Sequence, residues 1–157
     1  MKTLLIILSC LIISIFVLFL ILTVMSKHGK AVGLVDGHLA KCPNKPNCVC
    51  TEYKKEFDHY LSPIIMTQNS DSNSLATIKK SIQSMNGIIQ VENSNYIVAT
   101  FSSAFFGFVD DLEVRIDTNR HLIHIRSASR VGHSDFGVNK KRVELLKQLY
   151  IEELGDH

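Results

Sequence analysis

The chain is predicted to be an α+β protein: an antiparallel sheet of about four or five strands, packed by two helices and preceded by one transmembrane helix. Three observations predict it. The first 25 residues hold an unbroken apolar run, two later stretches repeat apolar residues at helical spacing, and the stretches between those alternate apolar and polar residues with a period of two.

Residues 3–25 carry no charge, and only Ser9, Cys10, Ser14 and Thr23 interrupt the Leu, Ile, Phe and Val. A bilayer core needs about 20 such residues, so the run is long enough to span one. A cleaved signal peptide has a shorter apolar core, of about 7–15 residues, and a small-residue cleavage site. Here the run is longer and ends in Thr23-Val24-Met25-Ser26. Residues 1–25 therefore read as an uncleaved single-pass anchor, with the lipid bilayer as the partner of residues 3–25. Lys2 and the α-amino group stand against Lys27 and Lys30, so the flanking charges leave the orientation open. The cysteine pattern favours the non-cytoplasmic side.

Residues 26–41 contain Gly29, Gly33 and Gly37, a spacing that suits a linker or stalk; the alternative is a short helix on the membrane surface. Residues 42–157 read as a single soluble α+β domain, large enough for one core. Asn69-Ser70-Asp71-Ser72-Asn73-Ser74 is a cluster of turn and cap formers, and Asn73 or Ser74 is a natural N-cap for a helix running to Met85. Leu75, Ile78, Ile82 and Met85 form its apolar stripe, and Asn86-Gly87 ends it.

Strand-like runs follow at 88–92, 96–102, 109–117 and 121–131, the first two separated by Asn93-Ser94-Asn95, and residues 60–66 supply a further candidate. Leu112, Val114 and Ile116 alternate with Asp111, Glu113 and Arg115, and Ile123 and Ile125 alternate with His124 and Arg126. With Thr118 and Asn119 as the hairpin loop, Val114 is expected to face Ile123 and Leu112 to face Ile125. The same register sets Asp111 opposite Arg126, as a surface pair, and Glu113 opposite His124. A helix over 139–154 closes the chain, with Val143, Leu146, Tyr150 and Leu154 on one face.

The balance of 17 Lys and Arg against 15 Asp and Glu gives no global attraction to nucleic acid, and none is expected as a partner. No cofactor is expected either.

Three stretches are less generic. They are Cys42-Pro43-Asn44-Lys45-Pro46-Asn47-Cys48-Val49, then Phe108-Val109-Asp110-Asp111, then the run from Arg126-Ser127-Ala128-Ser129-Arg130 through Gly132, Asp135, Gly137 and Asn139 to Arg142. Together they resemble the domain of unknown function 1499 family, whose members carry a CPxxPNCV segment and an RSxSRxGxxDxGxNxxR segment. The resemblance spans about Cys42 to Tyr150. It implies a membrane-associated or exported protein and no particular reaction. Cys50 departs from the pattern, since related chains commonly carry serine there.

Cys42 and Cys48 enclose five residues, two of them proline, a stiff loop able to bring the Cα atoms within disulfide reach. Cys50 is either a free thiol beside that bridge or the partner of Cys42, and Cys10 packs within the membrane. A zinc site from Cys42, Cys48 and Cys50 with His38 or His59 lacks the short paired spacings of structural zinc sites, and no metal is expected.

The candidate ligand site is the segment holding Arg126, Arg130, His133, Ser134, Asp135, Asn139 and Arg142. Asn139 is placed to cap the last helix, whose first turn holds Lys140, Lys141 and Arg142. Cations there oppose the helix dipole, whereas an anion would be held by free amides and these side chains together. The functional reading is a pocket for a carboxylate or phosphate; the competing one is that Asp135 fills the place or the cations face water. His133, Ser134 and Asp135 are neighbours in sequence and cannot take the three approach directions of a hydrolytic triad. The sequence therefore reads as a noncatalytic binding or structural module of the cell envelope, with an anionic ligand or envelope protein as partner. The alternative is a hydrolase or transferase acting on an anionic substrate at residues 126–142.

Overall fold

The computed structural model describes residues 1–66 and 73–155; the turn-former cluster expected at 69–74 lies outside them except for Asn73 and Ser74. The order is α1 (Lys2–His28), β1 (Leu34–Val35), β2 (His38–Leu39), β3 (Cys48–Cys50), β4 (Ile64–Ile65), α2 (Ser74–Ser84), β5 (Ile88–Glu92), β6 (Tyr96–Ser102), β7 (Val109–Asp117), β8 (Leu122–Ser129) and α3 (Val138–Gly155). Helix α1 is long and apolar enough to cross a membrane.

β5 to β8 form an antiparallel meander, and β3 and β4 pair in line along the far edge of β8. The α+β class with an antiparallel sheet and two packing helices stands. β5, β6 and β7 begin and end where the alternation does. β8 is shorter than expected, because the chain turns at both ends: His121 adopts φ 52 and Gly132 φ 85.

The β7–β8 register differs from the expected one by two residues. Val114 faces Ile125, Ile116 faces Ile123, Glu113 faces Arg126 and Arg115 faces His124. The loop is residues 118–121 and not Thr118-Asn119 alone; Asp117 Oδ1 accepts the Arg120 amide at 3.1 Å and fixes the longer turn. An even shift returns every side chain to its own face, so the core assignment is unaffected while the cross-strand partners change.

One sheet face carries Val49, Ile97, Ala99, Leu112, Val114, Ile116, Ile123 and Ile125 against Ile78 and Ile82 of α2 and Val143, Leu146 and Tyr150 of α3. The stripes on both helices are therefore the ones the sequence marks. The opposite face is also covered. Residues 26–41, expected as a linker or stalk, lie against it: Leu39 is fully buried with Cys50, Tyr96 and Val98, and Ala31 packs on that cluster. Glycines at φ 82 (Gly33) and 78 (Gly37) let the segment fold into the β1–β2 hairpin instead of extending.

Helix α1 is attached to this domain through its last two turns. The Ser26 hydroxyl accepts the Val109 amide at 3.2 Å, and Thr23 Oγ1 lies 3.0 Å from the Phe106 carbonyl. Ser26 and Thr23 are the two buried residues of a helix that is otherwise exposed except at half-buried Phe19 and Leu22.

Candidate functional site

The charged positions of β7 and β8, expected on a solvent-facing surface, are buried: Asp111, Glu113, Arg115, His124 and Arg126 are all at most 7% exposed. The cover is the segment between α1 and β3. A charge removed from water must be paired and hydrogen-bonded, and here each arginine finds a carboxylate.

Glu113, 0% exposed, is the centre. Its Oε2 accepts Arg126 Nη1 at 2.8 Å, while Oε1 accepts the Tyr96 hydroxyl at 2.6 Å and the Gly33 amide at 2.9 Å. Burial and this bond to Glu113 hold the Tyr96 phenol well above its ordinary pKa, so it remains a donor. Toward the far end of the strands, Arg115 pairs with Glu52, which also accepts the Leu39 amide. Toward α1, Arg130 grips Asp111 with two bonds, of 2.9 and 2.7 Å. Its Nη1 then donates to the Ser26 carbonyl at 2.9 Å, near the C-terminal end of α1, where carbonyls lack intrahelical partners and a cation complements the dipole.

The remaining candidate residues lie on the other sheet face. Arg142 donates to Asp110 at 2.8 Å and to Ser127 Oγ at 3.0 Å, and stacks over Phe101. Asp135 caps α3, accepting the Gly137 amide at 3.0 Å and the Asn139 amide at 2.6 Å. That places an internal carboxylate where an anion was considered. It also corrects the expected N-cap: Asn139 lies inside the helix, buried, because Asp135 has taken the capping role. The Asn139 amide group instead joins the two sequence motifs, with Nδ2 donating to Asn47 O and to Ser129 Oγ, both at 3.0 Å, and Oδ1 accepting the Ser127 hydroxyl at 2.6 Å. Asn47 in turn accepts the Ser129 amide and donates to the Gly132 carbonyl.

Arg126 and Arg130 thus face the hairpin cover, whereas Asp135, Asn139 and Arg142 face the helices. His133 and Ser134 are exposed on the turn between. The sheet separates the two groups.

Cys42 and Cys48 form a disulfide with a Cα–Cα distance of 5.6 Å. Cys50, like Cys10, is a free thiol, and burial pushes Cys50 up to about 11, which leaves it protonated and a poor nucleophile. His59, considered as a zinc ligand, donates to the Cys48 carbonyl. Among the described residues no group of three or more His, Cys, Asp or Glu is placed to hold a metal.

A separate cleft of about 590 Å³ opens at the end of the strands far from α1, lined by His38, Glu52, Tyr53 and His124. Burial lowers the His124 pKa from its ordinary value, with Glu52 pulling it up and Arg115 pushing it down. Its Nε2 has no hydrogen-bond partner among the described residues.

Sequence reasoning missed Ser26, Asn47, Glu52 and Tyr96 as members of this network. Asn47 had a signal, since it lies within the first motif. The others had none, because their partners are brought to them only by folding.

The fold and its internally paired arginines define a small α+β domain carried directly on a long apolar helix. A family model for proteins of unknown function, DUF1499, matches residues 38–149, and the chain belongs to that family. No curated protein matches the chain in sequence.

Proposed function

We propose that this is a noncatalytic, membrane-anchored structural module of the cell envelope, in which the family's signature residues lock the anchor helix onto the sheet. One observation carries the reading: Arg130 bridges Asp111 on β7 and the Ser26 carbonyl on α1. The other signature side chains behave alike. Arg126, Ser127, Ser129, Asp135, Asn139 and Arg142 are all engaged with groups of this same chain. A hydrolase or transferase using residues 126–142 would have to compete an anionic substrate against carboxylates already in place, across two faces of one sheet.

The test uses the full chain in detergent micelles. Arg130→Ala is expected to cost about 2 kcal/mol, the scale of charge-assisted hydrogen bonds, and to speed tryptic cleavage at Lys27 and Lys30. Inorganic phosphate should leave the thermal midpoint of the parent protein unchanged. An unaltered midpoint in Arg130→Ala, together with loss of a phosphate-induced rise seen in the parent, overturns the reading in favour of an anion site.

In this reading α1 spans the bilayer and the domain lies on the non-cytoplasmic side. The Cys42–Cys48 disulfide supports that side, since such bonds persist in oxidising compartments. A reporter fused after His157 should be active only outside the cytoplasm; a cytoplasmic signal sinks the assignment.

A further inference from the structure

The loop joining β6 and β7, residues 103–108, carries Phe105, Phe106 and Phe108 around Gly107 at φ 68. Loops normally meet water and are polar, yet this one is apolar and firmly built. The Ser103 amide donates to Phe108 O at 2.8 Å, the Gly107 amide to Ser103 O at 3.0 Å, and the Phe108 amide to Ser103 Oγ at 3.0 Å. Beside it, the turn before α3 presents Phe136, 93% exposed and held at φ 54, a left-handed conformation rare for a bulky side chain. Phe105 is 87% exposed. An apolar groove of about 400 Å³ separates loop and turn, and its third wall is α1 itself, through Phe19 and Leu22.

That third wall identifies the occupant. Phe106 stacks on Phe19 with ring centroids 4.7 Å apart and planes 13° from parallel. Phe19 lies six residues before Met25, the end of the apolar run, which is about 9 Å along a helix axis. A side chain stacked on Phe19 is at the depth of Phe19. When α1 spans a bilayer, the loop is below the headgroups, and the exposed phenylalanines face hydrocarbon. The cations are placed to match: Lys27 reaches over Gly107, and Lys140 and Lys141 are exposed in the first turn of α3, just past the groove. Aromatic rings at the boundary with basic residues above them are the arrangement of an interfacial anchor.

We propose that residues 103–108 and the turn carrying Phe136 insert into the leaflet beside α1, so that lipid acyl chains fill the groove. The proposal rests on α1 spanning the bilayer, and its test separates the two.

The chain contains no tryptophan, so each Phe→Trp variant of the full protein has one reporter. Phe105→Trp, Phe136→Trp, Phe16→Trp and Ile65→Trp are reconstituted in phosphatidylcholine nanodiscs. Ile65 is 78% exposed at the far end of β8 and marks water. In discs of phosphatidylcholine brominated near the upper end of its acyl chains, Phe105→Trp and Phe136→Trp should lose most of their emission. In ordinary discs both should emit to the blue of Ile65→Trp, which bromination leaves unchanged. Should Phe105→Trp and Phe136→Trp instead match Ile65→Trp while Phe16→Trp is quenched, the inserted surface is refuted and the anchor stands. A Phe16→Trp that is quenched neither by these lipids nor by lipids brominated at the chain ends, which reach the bilayer middle where Phe16 lies in a span over 3–25, refutes the anchor, and the inserted surface with it.

Discussion

Replacing Glu113 with alanine is expected to cost about 3–5 kcal/mol, the range for breaking a buried ion pair by removing one partner. The carboxylate is fully buried and serves three donors, the Arg126 guanidinium, the Tyr96 hydroxyl and the Gly33 amide. Its loss strands a buried positive charge and two neutral donors. Urea unfolding of the full chain in micelles measures this, followed by near-ultraviolet dichroism of the tyrosines because α1 stays helical in detergent. The pair Glu113→Leu with Arg126→Met should recover part of the loss, since both charges leave together. It should not recover all, because Tyr96 and Gly33 remain unpaired. A cost below about 1 kcal/mol for Glu113→Ala, the scale of an exposed ion pair, would show that this face is open to solvent.

Asn139→Ala is expected to destabilise the domain by roughly 3 kcal/mol, on the basis of about 1–3 kcal/mol for each buried group left without a partner. The Asn47 carbonyl keeps the Ser129 amide, but the hydroxyls of Ser127 and Ser129 lose their Asn139 bonds, and the first motif is detached from α3. Asn139→Asp is the sharper comparison. It keeps the oxygen that accepts the Ser127 hydroxyl and Arg142 Nη1 while deleting the donor to Asn47 and Ser129. A loss nearly as large as that of alanine would place the importance in the Asn47 junction. If Asn139→Ala unfolds at the same urea concentration as the parent, the junction between the motifs contributes nothing.

Much of the fold was legible because the core is built from local periodicity. Ile78 and Ile82, or Leu112 and Val114, are marked for one face by their spacing alone, and the turn formers at Asn93 and Asn86 end the neighbouring elements. The β7–β8 register was legible only to within two residues. A period of two specifies which face each side chain takes, whereas the choice between a two-residue loop and residues 118–121 depends on Asp117 holding the Arg120 amide.

The charged residues of the candidate segment were legible in the sequence, and their pairing was not. In the sequence Arg130 and Arg142 read as holders of an external anion and Arg126 as a surface partner of Asp111; in the structure Arg126 pairs with Glu113, Arg130 with Asp111 and Arg142 with Asp110. Their partners, Glu113, Asp111 and Asp110, were in view in the sequence, but the alternation of charge with apolar residues in β7 reads as a sheet with one wet face. Nothing in β7 or β8 announces that residues 26–41 fold back to cover it. Glu52 and Ser26 are polar residues of ordinary context, distinguished only by where the chain carries them.

The sequence by itself determined the three helices and the strands of the β5–β8 meander, which sheet face is apolar, and that the leading helix is long and apolar enough for a bilayer, because each of these follows from interactions between residues a few positions apart. Only the tertiary structure decided that the charged residues of β7 and β8 are covered, that Asn47 meets Asn139 and that Arg130 reaches Ser26, because those contacts join residues far apart in the chain. Their energetic value exists only after water has been excluded from between them.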